Sequence, residues 1–288
     1  MKARAISTRQ LSQRAAFSLI IVATIIVVIP VLVIVLQIIL NGASAISWDF
    51  LTQAPSQAGK SGGILPAIVG TFYLMMGTIV FALPLGVMAG IYLTEYARDN
   101  WLTRLINLAI LNLAGVPSIV YGLFGLGIFV LLFHFGMSLL SASLTLACQA
   151  LAMTVTTSRE AILAVPREYK EGSLAVGATR WQTIRHLVLP QALPGIITGA
   201  VLAMSRAAGE TAPILVVGAA FLLPGLPQSP FEQFMALPYH LYTVAAHVPG
   251  MPKSTVWGVA LVLLVVVLSF NVLATIIRLR TRQRRLNA

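Results

Sequence analysis

Six long apolar runs, separated by stretches that carry charges, proline or glycine, dominate this sequence. They cover residues 17–40, 64–93, 113–133, 137–157, 193–221 and 256–277. A helix rises about 1.5 Å per residue, so about 20 apolar residues span the roughly 30 Å hydrocarbon core of a bilayer. Hydrophobic residues make up 58% of the chain and charged residues only 9%, too little polar material for a water-soluble protein. The sequence therefore predicts an all-α, polytopic membrane bundle of six transmembrane helices.

The basic residues fall almost entirely on one side of these predicted spans. With the amino terminus placed in the cytoplasm, 16 of the 19 lysines and arginines lie in the two tails and in the second and fourth loops. Only Lys60 and Lys253 lie on the outer side, and Arg206 falls within a span. Because cytoplasmic loops carry an excess of Lys and Arg, we expect both termini to be cytoplasmic. The net charge of +11 thus indicates membrane orientation rather than nucleic-acid binding.

Two features that could indicate covalent chemistry or metal binding are weak. Residues 54–61, APSQAGKS, match a relaxed phosphate-loop pattern, but they lie on the outer side, and Gly62 and Gly63 follow where a helix should begin. The four histidines have no cysteine or glutamate at a metal-binding spacing. We expect no catalytic residue, no metal site and no cofactor. A membrane-embedded enzyme and a stand-alone channel are the alternatives from other functional classes.

The longest cytoplasmic loop, residues 158–190, carries helix signals of its own. Pro166 is typical of the first position of a helix, and Gly177 of the position just past the end of one. A T-x-x-Q capping box, which starts a second helix, begins at Thr179. The sequence predicts a helix, a glycine turn and a second helix that ends at Pro190.

The same loop resembles the signature of importer-type ABC transporter permeases: E-A-A, three residues, G, nine residues, then I-x-L-P. The corresponding residues here are Glu171, Gly172, Ser173, Gly177, Leu187, Leu189 and Pro190. Glycine and serine replace the two alanines, and leucine replaces isoleucine, which preserves size class. The resemblance implies an importer-type ABC permease fold in which this loop docks onto a cytoplasmic ATPase subunit. An amphipathic loop lying on the membrane surface is the alternative.

Three further stretches resemble phosphate-specific ABC permeases: YLTEY at 92–96, GVPSIVYG at 115–122 and RAAGETAP at 206–213. The GETAP form is more similar to the PstA subunit than to its PstC partner. The resemblance implies an inorganic phosphate importer of the bacterial inner membrane, with ATP hydrolysed by a partner. The implied partners are a second, PstC-like permease, two copies of a cytoplasmic ATP-binding subunit and an external phosphate-binding protein. A permease for another oxyanion, such as sulfate or molybdate, is the alternative.

Residues 205–213, SRAAGETAP, place two opposite charges within an apolar run. A charge at the bilayer centre costs about 2.5–3.5 kcal/mol on insertion scales, so it faces a partner or a watery path. Arg206 and Glu210 are four residues apart and can pair on one helical face, which is one sufficient explanation. Pro213, which cannot donate to the carbonyl of Gly209, predicts a kink. Because a guanidinium fork matches phosphate oxygens, we expect this stretch to meet substrate. The predicted pathway residues are Arg206, Glu210, Thr211, Pro213 and, as a second candidate, Arg159 at the inner end of the fourth span.

We expect two parts of the chain. Residues 1–63 would hold the amino-terminal cytoplasmic tail, the first transmembrane helix and an outer loop. Residues 64–288 would form the permease transmembrane core, including the coupling loop 158–190. The proline-rich loop 222–255 is predicted to lie outside as an irregular lid or docking surface, with a short helix around 239–246.

Overall fold

The computed structural model describes residues 8–223 and 225–286; Lys2 and Arg4 of the basic amino-terminal tail lie outside this range. The described helices are α1 (Thr8–Gly42), α2 (Trp48–Thr52), α3 (Leu65–Ile91), α4 (Trp101–Leu113), α5 (Ser118–Gly125), α6 (Leu139–Leu163), α7 (Arg167–Ala175), α8 (Arg180–Thr183), α9 (Leu189–Gly209), α10 (Ala212–Val217), α11 (Leu237–Ala246) and α12 (Lys253–Leu286). π-Helical segments Tyr92–Tyr96, Leu126–Leu132 and Ile184–Val188 extend α3, extend α5 and join α8 to α9. Short 3₁₀ turns occupy Ala43–Ala45 and Gln57–Gly59, and two short strands, β1 (Pro55–Ser56) and β2 (Ser61–Gly62), form an antiparallel hairpin.

The predicted six-span bundle is confirmed, although one crossing is broken. Among the described residues, five helical segments are long and apolar enough to span a bilayer: those containing α1, α3, α6, α9 and α12. Between α3 and α6, the helices α4 and α5 meet at an angle of 108° and together satisfy the same test. The order of contacts shows that α3 and α6 run in the same direction: Gly77, Gly86 and Gly90 of α3 face Ser143, Thr154 and Ser158 of α6. The chain must therefore cross back between them through α4 and α5.

Small residues bring the central helices into close contact. A Cβ atom added at Gly199 of α9 would lie 2.0 Å from the Oγ1 atom of Thr157 on α6. One added at Gly195 would lie 2.6 Å from the Cβ of Ala161. Helices in lipid associate through close backbone approach rather than hydrophobic burial, so these contacts hold α6 and α9 together.

The third predicted span, 113–133, is wrong in its first part. α4 extends to Leu113, and α5 begins only at Ser118. The segment between them contains Gly115 and Pro117, and Pro117 is extended, with φ −57° and ψ 139°. Proline disfavours helical geometry in the residue before it, so the helix stops and the chain changes direction.

The fifth span also has other boundaries than the predicted 193–221. A continuous helical segment runs from Arg180 to Gly209, through Pro190, so the predicted helix end at Pro190 is wrong. The π-helical turn Ile184–Val188 directly precedes this proline. An interior proline removes a hydrogen bond and crowds the preceding turn, and the helix is locally irregular here, with the wider π turn.

Part of the loop predicted as an irregular lid packs into the protein and is not an exposed surface. Residues 234–237 are fully buried. The amide of Leu237 donates to the Oγ1 atom of Thr71 on α3 over 2.8 Å, and the amide of Ala220 donates to the carbonyl of Phe234 over 2.8 Å. Four consecutive apolar residues, FMAL, gain packing partners here that an exposed lid would not supply. The predicted short helix of this loop is present as α11.

Candidate functional site

The fifth span breaks at its charged stretch, where the sequence predicts a kink. α9 ends at Gly209, Glu210 is extended with φ −73° and ψ 128°, and α10 begins with Pro213 in its first turn. Proline is tolerated there because the first turn of a helix has no internal partner for its N–H. Non-helical backbone at membrane depth occurs only where it is buried in protein or lines a water-filled cavity. The backbone at the break therefore has to be covered by neighbouring helices or to line a polar cavity.

Gln149 fixes the depth of this break and was missed by sequence reasoning. Its Nε2 atom donates to the Oε1 atom of Glu210 over 2.6 Å. Gln149 lies about 15 Å along α6, a 25-residue helix that spans roughly 37 Å. The broken backbone thus lies near the middle of the bundle. The two residues are 61 positions apart, so no local pattern in the sequence could have paired them.

Arg206 keeps most of its hydrogen-bonding capacity free. Its Nε atom lies 3.3 Å from the same Oε1 atom of Glu210, and its side chain is 52% exposed. The Nη1 and Nη2 groups have no protein partner within the described part of the chain. Glu210, only 15% exposed, is held by two donors. The arrangement presents a fork of cationic N–H donors to the open side of the break.

Another close neighbour of the break is α5. A Cβ atom added at Gly122 would lie 2.9 Å from the Cα atom of Pro213. Two of the stretches that resemble phosphate permeases therefore pack directly against each other. Thr211, also predicted as a pathway residue, occupies the N-cap position of α10, and its side chain makes no capping hydrogen bond.

Two separate hollows lie between α6 and the fifth span. The first, at the break, holds only about 20 Å³, and its lining includes Gln149, Met153, Arg206 and Glu210. The second is larger, lies nearer the end of the bundle that carries α7, and is lined largely by small and polar residues, among them Thr157, Glu160, Thr198 and Gly199. A carboxylate and hydroxyl groups between two spans make this second hollow unlike a lipid-facing surface.

Arg159 does not join this cluster. Its Nη1 atom donates to the Oδ1 atom of Asn107 on α4 over 2.7 Å. Ten residues separate it from Gln149 on the same helix, which places it about 15 Å closer to the α7 end. The structure thus gives Arg159 a contact between α4 and α6, away from Arg206.

The loop with the importer-type signature forms two helices around a sharp turn. Glu171, Gly172 and Ser173 lie in α7, and Gly177 follows with φ +90°, a conformation that side chains disfavour. Thr179 begins α8 with a complete capping box. The helix, glycine turn and second helix predicted from the sequence are confirmed.

The two leucines of the signature play a different part from the glutamate. Leu187 and Leu189 pack against a buried cluster that contains Ile162, Val165 and Val188, so they anchor the loop to the bundle. α7 has no buried residue. On α7, on α8 and in the turn between them, the side chains of Tyr169, Val176 and Trp181 are more than half exposed, and the sequence prediction did not single out Tyr169 or Val176. Apolar side chains in an otherwise charged, exposed loop are typical of a docking surface.

Two titratable groups outside the spans have shifted pKa values. The hydrogen bond from Arg104 lowers the pKa of the exposed Asp99 carboxyl. Burial lowers the pKa of His240 in α11, where the ring stacks on Phe221.

Within the described residues no group of three potential metal ligands occurs. The phosphate-loop-like segment forms the β1–β2 hairpin, and the next helix starts only at Leu65.

The parallel α3 and α6, the antiparallel α9 with its charged break, and the exposed helical loop at one end define a membrane transport permease. Residues 82–283 match the family described as "Binding-protein-dependent transport system inner membrane component". The chain belongs to that family. The resemblance to importer-type permeases is therefore confirmed.

Known relatives cover most of the chain. It is 36% identical over 250 residues to the "Probable ABC transporter permease protein YqgI" of Bacillus subtilis, which covers 82% of this chain and 85% of the relative. It is 33% identical over 288 residues to the "Phosphate transport system permease protein PstA 1" of Mycobacterium tuberculosis, at 96% and 91% coverage. The corresponding PstA protein of Haemophilus influenzae is 32% identical over 243 residues, at 83% and 84% coverage. The similarity to PstA-type permeases is thus also confirmed.

Solved structures share the fold. A bacterial ABC transporter involved in the import of alginate matches with a TM-score of 0.63 at 15% identity, covering 94% of this chain and 96% of its own. An inward-facing MetNI methionine ABC transporter matches with a TM-score of 0.61 at 19% identity, covering 76% and 97%. These likenesses establish the permease architecture alone.

Proposed function

We propose that this protein is a transmembrane permease subunit of an ATP-driven phosphate importer. The observation that carries this proposal is the guanidinium of Arg206, half exposed at a break in mid-bundle, with both terminal amino groups free. Planar N–H donors match phosphate oxygens in pairs. The similarity to relatives named as phosphate permeases supports the same substrate.

Glu210 has two roles in this proposal. It accepts hydrogen bonds from Gln149 and Arg206, which hold the guanidinium in position. It also offers an acceptor to the P–OH group of hydrogen phosphate. Sulfate has no proton to donate at neutral pH, so its oxygens would face the carboxylate without a hydrogen bond. The pair therefore favours phosphate over sulfate. Thr211 and Pro213 shape the same break, and Arg159 is a second candidate farther along the path.

The permease would act within a larger assembly. We expect a second, PstC-like permease, two copies of a cytoplasmic ATPase that hydrolyses ATP, and an external phosphate-binding protein. The loop Glu171 to Pro190 would dock on the ATPase, so that ATP binding shifts the path between outward and inward access. Both termini would be cytoplasmic in a bacterial inner membrane, in accord with the placement of basic residues.

Reconstitution of the complete complex tests this function. We expect ATP-dependent uptake of labelled phosphate that excess sulfate does not inhibit. Arg206→Lys should lower uptake about tenfold, because lysine keeps the charge but loses the paired donors. Arg104→Lys, at an exposed arginine outside the path, is the matched control and should transport normally.

Glu210→Gln gives the selectivity arm of the same experiment. We expect sulfate to compete better in this variant, because the repelling charge is gone. Normal uptake in correctly assembled Arg206→Lys complexes would contradict the pathway role. Efficient sulfate uptake by the unmodified complex would favour the other-oxyanion alternative, and anion conductance without ATP would favour a channel.

A further inference from the structure

One ion pair joins the exposed loop helix to the end of a spanning helix. The Nζ atom of Lys170 in α7 lies 2.5 Å from the Oε1 atom of Glu95, which follows α3. The two side chains are only 19% and 16% exposed. Of the three ion pairs among the described residues, it alone links distant parts of the chain, since the residues are 75 positions apart. Removal of one partner from such a shielded pair costs more than the loss of a surface pair, because the remaining charge is half buried and unpaired.

On the α7 side, this pair is one of few attachments. The helix has no buried residue and packs mainly against α8 and the π-helical turn that follows it. Within residues 8–223 and 225–286, its only other side-chain hydrogen bond joins Ser173 to Thr183, inside the loop itself. Pro166 and Gly177 flank the helix. Few contacts therefore hold α7, and among the described residues the Lys170 ion pair is its one side-chain bond to the end of a spanning helix.

On the other side, Glu95 belongs to the π-helical turn Tyr92–Tyr96 that ends α3. The Oγ1 atom of Thr94 in this turn bonds to the carbonyl of Gly90 over 2.7 Å. Gly90 in turn lies directly against Ser158 of α6. Close-packed helices transmit displacement because they do not deform continuously. A pull on Glu95 therefore reaches α3 and, through it, α6, which carries Gln149.

We propose that the Glu95–Lys170 ion pair is the link through which movement of α7 is transmitted to α3. The inference rests on the proposed function, in that an ATPase is what displaces α7. Both residues are positioning residues rather than substrate contacts. The requirement is for opposite charges at the two positions, so exchanging the charges should preserve the link.

The test compares Glu95→Lys, Lys170→Glu and the double exchange in the reconstituted complex. Phosphate uptake per ATP hydrolysed is the readout, because a loss of folding alone lowers both quantities together. We expect each single reversal to lower this ratio about tenfold and the double exchange to restore most of it. The milder Glu95→Gln variant covers the case in which a reversal prevents assembly. Asp99→Lys, in the exposed pair with Arg104, is the matched control and should leave the ratio unchanged.

A second readout is independent of the transported substrate. Nitroxide labels at Leu85 of α3 and Leu268 of α12, both half exposed, are introduced in a Cys148→Ala background. ATP should change the distance between the labels in the unmodified complex, not in either reversal, and again in the double exchange. An unchanged uptake ratio in assembled reversals, or a double exchange no better than the singles, overturns the link. If the unmodified complex moves its labels but imports no phosphate, the proposed substrate fails and the link stands.

Discussion

The break in mid-bundle and the loop formed by α7 and α8 both carry charged side chains, but they are held in opposite ways. Around the break, Glu210 accepts hydrogen bonds from Gln149 and Arg206. Pro213 of α10 packs so closely on Gly122 that a Cβ atom added to this glycine would lie 2.9 Å from the Cα atom of the proline. α7 has no buried residue and relies on a cap, a glycine turn and an ion pair. The charged pair at the break is thus held within the span, whereas α7 is attached by few contacts. Substitutions should separate the two regions accordingly.

The largest effect is expected at Gly199. A leucine there would collide with Thr157, since even a Cβ atom would lie 2.0 Å from its Oγ1 atom. Overpacking of this kind costs about 3 kcal/mol, so the Gly199→Leu protein should melt far below the unmodified one or fail to assemble. Gly172→Leu in α7, where nothing lies within 4 Å, should not lower the melting temperature in detergent. Equal destabilisation by both would refute the contrast between the two regions.

The next effect is expected at Gln149. Leucine in its place removes a donor to the Glu210 carboxylate, and a hydrogen bond to a charged group contributes about 1.5–3 kcal/mol. Gln149→Leu should lower phosphate uptake about tenfold or more without loss of assembly. Cys148→Ala, at the exposed neighbouring position, serves as the control. Unchanged uptake would mean that Arg206 alone positions Glu210.

A smaller effect is expected at the turn of the loop. Gly177 has φ +90°, and a side chain in left-handed geometry costs about 1–2 kcal/mol. Gly177→Ala should therefore weaken ATPase docking about fivefold to thirtyfold, measured as the ATPase concentration that half-saturates the permease. Gly127→Ala, at a glycine with open space and ordinary geometry, should bind the ATPase normally. Normal docking by Gly177→Ala would show that the turn adapts.

The smallest effect is expected at the capping box. Thr179→Ala removes the hydroxyl group that accepts a hydrogen bond from the amide of Gln182. Loss of such an N-cap lowers helix stability by about 1 kcal/mol. Amide exchange in α8 should quicken about fivefold, whereas exchange in α9 should not change. Thr179→Ser keeps the acceptor and should restore protection. Faster exchange throughout α9 would indicate that the loop and the span unfold as one unit.

The parts of the fold that could be predicted are those encoded by neighbouring residues. Apolar length predicted six crossings, and Thr179 with Gln182 predicted the start of α8. The geometry at Pro213 could not be settled locally, because a proline near a glycine is compatible with both a kink and a break. The contact of Gln149 with Glu210 and the burial of residues 234–237 depend on how distant helices meet. The helix end predicted at Pro190 was wrong, because the helix continues through this proline after a π-helical turn that has no clear sequence signal.

That same turn joins α8 to α9, so the second helix of the loop and the helix that carries Arg206 are one piece. From Arg180 to Arg206 this rod measures roughly 39 Å. A tilt of only about 5° at its loop end would swing the guanidinium by about 3 Å, the full length of a hydrogen bond. The segment thus has the dimensions of a lever arm: under the proposed function, an ATPase that rocks α8 slightly would have enough reach to move Arg206 toward or away from an anion in mid-bundle.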